Sequence, residues 1–333
     1  MKKVVNICFA MALAFASCGE SGKQGAAWTL QPPQGKAVER VAIDTMHLRN
    51  PYIMYDKRSD SYYMTGDGGL LWRSGDMHVW QGPYSVMQFD ARSWTGETPE
   101  VTSPEIHRHK DKFYLMATVS RPDVPADTID GKVLARTSCE IFVADSISGP
   151  YKQLVAEEPL LSQGDISVHP TFCTDEFNVA YMIYDRSAEE TGDATVQIVR
   201  LGKRLDVRVG EPYVMFRASQ NPWGDTQNLS APFLFDTAGG ELGILFTSAT
   251  GDEQAVGVAY TETGHGLNGP WHIEPQPLLK GVGGAMLFND YDGTLIMAAH
   301  KDTVINGKAK SVPQLYKADR QFDKLKLNGH YKF

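Results

Sequence analysis

The segment SPEIHRHKDKFYLMATVS, which begins at Ser103, places a carboxylate and two imidazoles at alternate positions. These side chains are Glu105, His107 and His109. Because alternate residues of a β-strand lie on one face, the three would share a surface. Such a set could transfer protons or bind a metal ion. His109, however, falls in the polar turn RHKDK and is too far along the strand to converge with the others, so neither a metal site nor a cofactor is predicted.

Other residues able to do acid–base chemistry lie where apolar segments begin or end. Asp185 ends the apolar run MIYD and is a second candidate acid. Asp165 and Asp225 precede apolar segments and are either acids of a site or solvated turn residues. His169 titrates near neutrality, so it could be a base or a hydrogen-bond donor. His300, in MAAHKD, either approaches the same site or packs as a structural residue.

Five segments share one template, which would bring these distant residues together. Each has a small or polar residue, usually followed by Pro, then an apolar run, a polar turn and a second apolar run. Their starts are 53, 66, 62 and 53 residues apart. Repeats of strands and turns at this period are typical of a β-propeller. The segments are NPYIMYDKRSDSYYMTGD from Asn50, SPEIHRHKDKFYLMATVS from Ser103, HPTFCTDEFNVAYMIYDR from His169, APFLFDTAGGELGILFTS from Ala231 and GAMLFNDYDGTLIMAAHK from Gly284.

The template predicts an all-β fold, a five-bladed β-propeller over residues 40–333; the alternative is an irregular β-sandwich with coincidental spacing. Outer strands are predicted at 69–74, 82–87, 139–146, 149–155, 194–201, 210–219, 255–262 and 269–274. A recurring Gly-Pro-aromatic motif indicates a turn that leads into an outer strand. The five segment starts, together with Ser230 beside Ala231, are expected to surround one axial pocket.

The blade-opening RNPYIMYD…YYMTGD, with SPEIHRHKDKFYLMAT, CEIFVADSISGPYK and EPYVMFRASQNPW, resembles glycoside hydrolase family 43 over about residues 40 to 320. That family comprises five-bladed propeller enzymes that include arabinofuranosidases and xylosidases. The resemblance implies an inverting mechanism, in which a general base and a general acid lie about 6.5–9.5 Å apart. A third acidic group tunes the acid.

The positions that match the family's catalytic acids hold other residues in this chain. The resemblance places Asn50 at the general base, His169 at the tuning Asp and Ser230 at the general acid. An amide cannot accept a proton from water near neutral pH, and a hydroxyl is too weak an acid to protonate a glycosidic oxygen. Asn50 is therefore expected to bind a sugar through its two donors and one acceptor rather than to catalyse.

Several residues are candidates for substrate binding or for relocated chemistry. Glu105 is either a pocket acid or a structural carboxylate, and Asp185 is the second choice. The loop residues Trp94 and Trp223 either stack on apolar sugar faces or anchor their loops. Arg49, beside Asn50, is a candidate clamp for hydroxyls or carboxylates.

Three functional hypotheses follow. The chain is a glycan-recognising protein that has lost the family's catalytic acids, or an active glycosidase with relocated carboxylates such as Glu105, or a non-enzymatic propeller that binds carbohydrate or protein. The expected partners are oligosaccharides or polysaccharide side chains, and the expected state is a monomer. The net charge of −8 argues against nucleic acid.

The N-terminus MKKVVNICFAMALAFASCGESG predicts export. Two lysines precede an apolar run that is too short for a transmembrane helix, and small residues precede Cys18. We expect residues 1–17 to be a signal peptide, Cys18 to be lipidated, and residues 18–39 to form a tether in the bacterial cell envelope. Of the remaining cysteines, Cys139 and Cys173 lie in apolar strand-like runs, so two buried thiols are favoured over a disulfide.

Replacing Cys18 by Ala should release the protein from the membrane fraction. A single acyl chain anchors only marginally, so the several chains of a lipoprotein are needed for stable attachment. Fractionation and sensitivity of processing to globomycin measure this, with Cys8→Ala, inside the leader, as the control. A Cys18→Ala protein that still fractionates with membranes would contradict lipidation.

Overall fold

Five β-sheets follow one another along the chain in the computed structural model, which describes residues 29–129, 132–161, 166–188, 192–262, 264–305 and 307–333. The fold is a five-bladed β-propeller, as predicted. The leader, Cys18 and Asp165 lie outside the described residues. Within those residues, no helix is long and apolar enough to cross a membrane.

Blades 1 and 2 each contain five strands. Those of blade 1 are β1 (Glu39–Ala42), β2 (Tyr52–Asp56), β3 (Ser61–Gly66), β4 (Leu70–Ser74) and β5 (Val79–Ser85). Those of blade 2 are β6 (Met87–Gln88), β7 (Glu100–His109), β8 (Lys112–Ile129), β9 (Lys132–Ala144) and β10 (Tyr151–Gln153).

Blades 3 to 5 begin with their innermost strand, whereas β1 and β6 lie at the edges of blades 1 and 2 opposite the innermost strands β2 and β7. Blade 3 has β11 (Ser167–Thr174), β12 (Ala180–Arg186), β13 (Thr195–Leu201) and β14 (Arg208–Arg217). Blade 4 has β15 (Ser230–Asp236), β16 (Leu242–Thr250), β17 (Glu253–Thr261), β18 (Trp271–Ile273) and β19 (Leu279–Lys280). Blade 5 has β20 (Gly283–Asn289), β21 (Leu295–Ile305), β22 (Lys308–Arg320) and β23 (Leu325–His330). Short 3₁₀ turns occur at Ile43–Thr45, Ala218–Gln220 and Gly266–Asn268.

Aspartates close the first hairpin in three of the blades. Asp56 ends the innermost strand of its blade, Asp175 and Asp290 directly follow theirs, and each accepts a backbone N–H of its own turn, at 2.8–3.1 Å. This local bonding is the usual reason for Asp at turn positions. The polar turns of the sequence template are therefore hairpin turns, located away from the axial pocket.

The residue that opens each blade has a left-handed backbone conformation. Its φ lies between 47° and 57° in all five blades, at Asn50, Ser103, His169, Ala231 and Gly284. In blades 2 to 5 the strand ladder is interrupted at this point by a register shift. Such a bulge releases the residue from the ladder, so its N–H is free to bond elsewhere. The Pro that follows in four blades has no donor to lose.

The N–H of each blade-opening residue donates to a side chain of the preceding blade, located in or just after the strand next to the innermost one. We call these five bonds the axial ring. They are Ser103 N–H to Asp67 Oδ1 (2.8 Å), His169 N–H to Thr118 Oγ1 (2.7 Å), Ala231 N–H to Asp185 Oδ1 (3.0 Å), Gly284 N–H to Thr247 Oγ1 (2.8 Å) and Asn50 N–H to His300 Nδ1 (3.3 Å).

The contact between blades 5 and 1 closes the propeller without exchange of a strand among the described residues. Leu48 N–H donates to Ser311 O at 2.9 Å, and Tyr291 N–H donates to the hydroxyl of Tyr62 at 3.0 Å. Apolar residues of both blades form one buried cluster there. Burial and a few polar contacts therefore close the ring.

Three details differ from the sequence expectations. The Gly-Pro of blade 1, Gly82-Pro83, lies inside β5 rather than before it, opposite a register shift where a missing donor costs no ladder bond. Residues Met87–Gln88 belong to blade 2, where they add a parallel edge strand to β10. The outer strands of blades 2 and 4 preceded by Gly-Pro are only three residues long.

Cys139 and Cys173 are free, buried thiols, as predicted.

Thr118→Val should disrupt the axial ring between blades 2 and 3. Thr118 is buried, so the near-isosteric Val leaves the His169 N–H without a partner, at a cost of about 1–3 kcal/mol. Chemical denaturation and amide hydrogen exchange measure the effect. Thr118→Ser is the control, because it retains the hydroxyl acceptor. Equal protection of the His169 amide in the Val and Ser variants would show that the bond does not hold the blades together.

Candidate active site

The blade-opening residues surround one axial pocket, as the template predicts. Its inner part is narrow, about 20 Å³, which is room for about one water molecule. Its outer part is larger, about 160 Å³. The inner part is lined by Asn50, Pro51, Tyr52, Ser103, Glu105, His169, Ala231, Gly284, Ala285 and Met286. The outer part is lined by Arg49, Asn50, His169, Asn228, Ser230, Ala231, Thr247, Ser248, Ala249, Gln254, Gly284 and His300.

The Asn50 side chain is held by its neighbours. Its Nδ2 donates to Asp67 Oδ1 at 3.1 Å and to the Ser103 hydroxyl at 2.9 Å. A side-chain carbon on Gly284 would collide with Asn50 Oδ1, so only glycine fits there. The expectation that this amide offers two donors to a sugar is therefore wrong, because both are used to order the pocket wall.

His169 and Asp185 form a hydrogen-bonded pair at the axis. The imidazole Nδ1 lies 2.9 Å from Asp185 Oδ1, and the same oxygen accepts the Ala231 N–H of the axial ring. Burial alone would lower the pKa of His169, but the charge of Asp185, its hydrogen bond and the charge of Asp67 together raise that pKa above its ordinary value. Burial raises the pKa of Asp185, against the opposing influence of His169. Asp185 is thus a buried partner rather than an acid open to the pocket.

His300 is buried, and its two ring nitrogens have different environments. Its Nδ1 accepts the Asn50 N–H, which places the proton on Nε2. Burial, reinforced by the charge of Arg49, lowers the pKa of His300 to about 3. The ring is therefore neutral near pH 7. Nε2 has no hydrogen-bond partner among the described residues, although it is buried and belongs to a residue that lines the outer pocket.

Glu105 is the one carboxylate among the described residues that line the inner pocket. Its Oε2 lies 2.9 Å from His107 Nε2, and His107 Nδ1 lies 3.4 Å from the hydroxyl of Tyr52. Burial, and secondarily the charge of Glu105, raises the pKa of Tyr52 well above its usual range. Glu105 can therefore meet a ligand while it is held by an imidazole.

Arg49 lines the outer pocket, as expected, and its partner is Asp302. The Nη1 atom of Arg49 lies 2.7 and 2.9 Å from the two carboxylate oxygens. The salt bridge spans the contact between blades 1 and 5. Arg49 therefore both stabilises that contact and presents a guanidinium to the pocket.

The two tryptophans are not brought to the pocket, which corrects the stacking hypothesis. Trp94 is buried, and its Nε1 donates to Glu140 Oε1 at 3.0 Å. Burial raises the pKa of Glu140 to about 8, so this indole helps to satisfy a buried carboxyl group. Trp223 stacks on Phe246 in the core, with ring centroids 5.8 Å apart, and donates to a backbone carbonyl. Both indoles anchor their loops.

The remaining candidates lie away from the pocket. Asp225 is exposed and caps its own turn through the N–H groups of Gln227 and Asn228. His109 packs edge-on against Phe172 and Tyr114. Across the part of the chain that the structure describes, no group of three or more His, Cys, Asp or Glu side chains could hold a metal ion.

Sequence reasoning missed the ring acceptors Asp67, Thr118 and Thr247, and also Gln254 of the outer pocket. The ring acceptors lie 15 to 17 residues after the blade-opening residue in every blade. Reading the five templates at that offset would have found all of them. No local signal marks Gln254 or Asp302, because their importance depends on the packing of different blades.

Comparison with known proteins supports the architecture. The model of glycosyl hydrolases family 43 matches residues 42–321. The chain belongs to this family. No match was found among curated proteins.

Solved structures similar to this chain include an endo-arabinase from Bacteroides thetaiotaomicron VPI-5482, which is 26% identical over 87% of this chain and 99% of that one, with a TM-score of 0.70. An endo-1,4-beta-xylanase from the same organism is 18% identical over 88% and 97%, with a TM-score of 0.65. An exo-1,5-alpha-L-arabinanase from a bovine ruminal metagenomic library is 15% identical over 86% and 98%, with a TM-score of 0.60. The last two similarities concern the fold alone.

Asp185→Asn should lower the pKa of His169. The variant keeps an oxygen acceptor for Ala231 N–H but removes the charge that stabilises the imidazolium. Since the pKa of His169 is raised in the folded protein, its protonation stabilises the fold below pH 6.5, and this contribution is lost as pH rises through the folded-state pKa. An NMR titration of the His169 ring measures the shift, with the exposed Asp145→Asn as control. An unchanged His169 pKa in Asp185→Asn would contradict the assigned pairing.

Proposed function

We propose that the protein is an exported, glycan-recognising member of family 43 in which the catalytic acids have been replaced. Its ligands are arabinose-, xylose- or galactose-containing glycans, and it binds them in the axial pocket. The observation that carries the proposal is the lining of that pocket. At the positions matched to the family's base, tuning acid and general acid lie Asn50, His169 and Ser230.

The environment of Asn50 favours an amide over a carboxylate. Asp67 accepts from Asn50 and also from the Ser103 N–H of the axial ring. A carboxylate at position 50 would face Asp67 without a proton between them, and two such groups resist joint ionisation. The pocket is thus organised around a neutral side chain at this position.

The residues that remain do not reproduce an inverting pair. His169 can accept a proton at Nε2, but Ser230 cannot protonate a leaving group. Each proton-transfer role contributes roughly 10²–10⁴ in rate. The absence of an acid at position 230 therefore removes the ordinary mechanism even if His169 replaces the base.

Glu105 gives the second candidate function. It lines the inner pocket as a carboxylate, and a glycosidase that uses it as acid or base is the alternative to a binding protein. Under that alternative, Glu105→Gln abolishes turnover of glycosides by the wild-type protein. A non-enzymatic propeller that contacts other proteins is the third class.

The proposed location is the bacterial cell envelope, with Cys18 as the lipid anchor. Sugar capture by a lipoprotein needs affinity and not turnover, which is consistent with a pocket that keeps its shape without its acids. The proposal rests on the leader sequence alone, since these residues lie outside the described part of the chain.

The wild type should bind arabino- or xylo-oligosaccharides and show negligible hydrolysis of aryl arabinofuranosides and xylosides.

Restoring the family's general base and general acid tests whether the pocket is an inactivated hydrolase site. In Asn50→Asp with Asp67→Asn, the amide and carboxylate exchange places, so the acceptor for Ser103 N–H is retained. Adding Ser230→Glu supplies the acid, and we expect hydrolysis at least about tenfold above the wild-type background from restored proton transfer.

The double exchange without Ser230→Glu is the matched control, because it has a base and no acid. Calorimetry measures binding, and release of the aryl group measures hydrolysis. Wild-type turnover that Glu105→Gln abolishes would show that the chemistry has moved to Glu105, and the binding proposal would be wrong.

A further inference from the structure

We propose that the outer part of the axial pocket binds the carboxylate of a uronic acid residue within the recognised glycan. This inference rests on the proposed function, because it names the kind of sugar that the same pocket takes. Three features carry it: a buried donor without a partner, a guanidinium edge that is not engaged, and a lining without acidic side chains.

The buried donor is His300 Nε2. The residue is 1% exposed, and its other nitrogen is committed to the axial ring. The Oδ1 atom of Asp302 is 3.9 Å away, beyond hydrogen-bonding distance. A buried N–H without a partner costs about 1–3 kcal/mol. An acceptor atom from a ligand in the outer pocket would recover that cost.

The guanidinium belongs to Arg49. Only its Nη1 contacts Asp302, so Nε and Nη2 have no hydrogen-bond partner within the described residues. The side chain is 40% exposed and lines the same cavity as His300. A planar guanidinium suits a carboxylate better than a hydroxyl, since two N–H groups can meet two oxygens.

The lining of the outer pocket has no acidic side chain among the described residues. The carboxylates nearby are engaged elsewhere: Asp302 with Arg49 and Ser311, Asp185 with His169, and Asp67 with Asn50 and Ser103. In a chain with net charge −8, the residues that line this cavity are neutral or cationic, and Asp302 balances part of the charge of Arg49. An anionic sugar complements it electrostatically.

Gln254 supplies a hydrogen-bond acceptor for another part of the sugar. Its Oε1 is buried, has no partner in the described structure, and belongs to a residue of the same cavity. An amide acceptor suits a sugar hydroxyl. The outer pocket thus offers cationic recognition for one group of the ligand and neutral hydrogen bonding for another.

Calorimetry with matched sugars tests the inference. The pairs are trigalacturonate with its carboxyl-reduced form, and glucuronic acid-substituted xylotetraose with unsubstituted xylotetraose. We expect at least one acidic member to bind about tenfold or more tightly than its neutral partner, with a preference that shrinks as salt rises. Arg49→Gln should abolish the preference, and Arg49→Lys should keep part of it. Arg320→Gln, which removes a similarly exposed arginine paired with Asp236, is the control.

A second readout does not depend on affinity. The Nε2–H resonance of His300 should shift downfield when the acidic sugar binds and stay in place with the neutral one. His300→Asn keeps an oxygen near the Nδ1 position for the Asn50 N–H and removes this donor, so it should weaken acidic ligands more than their neutral partners.

Equal binding of acidic and neutral partners, with Arg49→Gln changing neither, would overturn the inference and leave glycan recognition intact. Failure of every sugar in the panel to bind would count against both proposals. An Nε2–H resonance that responds to no ligand would show that no ligand atom reaches this donor, which also overturns the inference.

Discussion

The axial ring of hydrogen bonds is the constraint on which this propeller depends. Each blade must open with a residue in the left-handed conformation so that its N–H leaves the ladder and reaches the preceding blade. Such conformations are unfavourable for most residues other than glycine, at roughly 1–3 kcal/mol each. The ring and the packing between blades offset that cost. The same geometry turns the five opening residues toward one pocket, so blade packing and pocket construction have a single cause.

The ring also explains why two of the carboxylates near the axis, Asp67 and Asp185, are not available for chemistry. Asp67 and Asp185 accept ring N–H groups, and each supports a second polar side chain. The closing acceptor is an imidazole, which can accept only when its Nδ1 is unprotonated. Burial and the positive charge of Arg49 hold His300 in that state, with a pKa of about 3. Its protonation would remove the acceptor, so the fold is expected to weaken as pH falls from 6.5 toward 3.

The sequence predicted the blades better than it predicted the roles of side chains. Template spacing was sufficient for the five-bladed fold and for the convergence of Asn50, Ser103 and His169, because both follow from strand order. The burial of Trp94 was not predictable, since its indole donates to Glu140, which lies on another strand of the blade. The use of both Asn50 donors was missed for the same reason. Partners that lie tens to hundreds of residues away leave no local pattern.

The contact between blades 5 and 1 has a consequence for synthesis. Asn50 and His300 are 250 residues apart, and both line the pocket. A ribosome must therefore release nearly the whole chain before the pocket exists, and no nascent intermediate that lacks blade 5 can capture a sugar there. Ligand binding at this site therefore indicates that the chain is complete and that the propeller has closed.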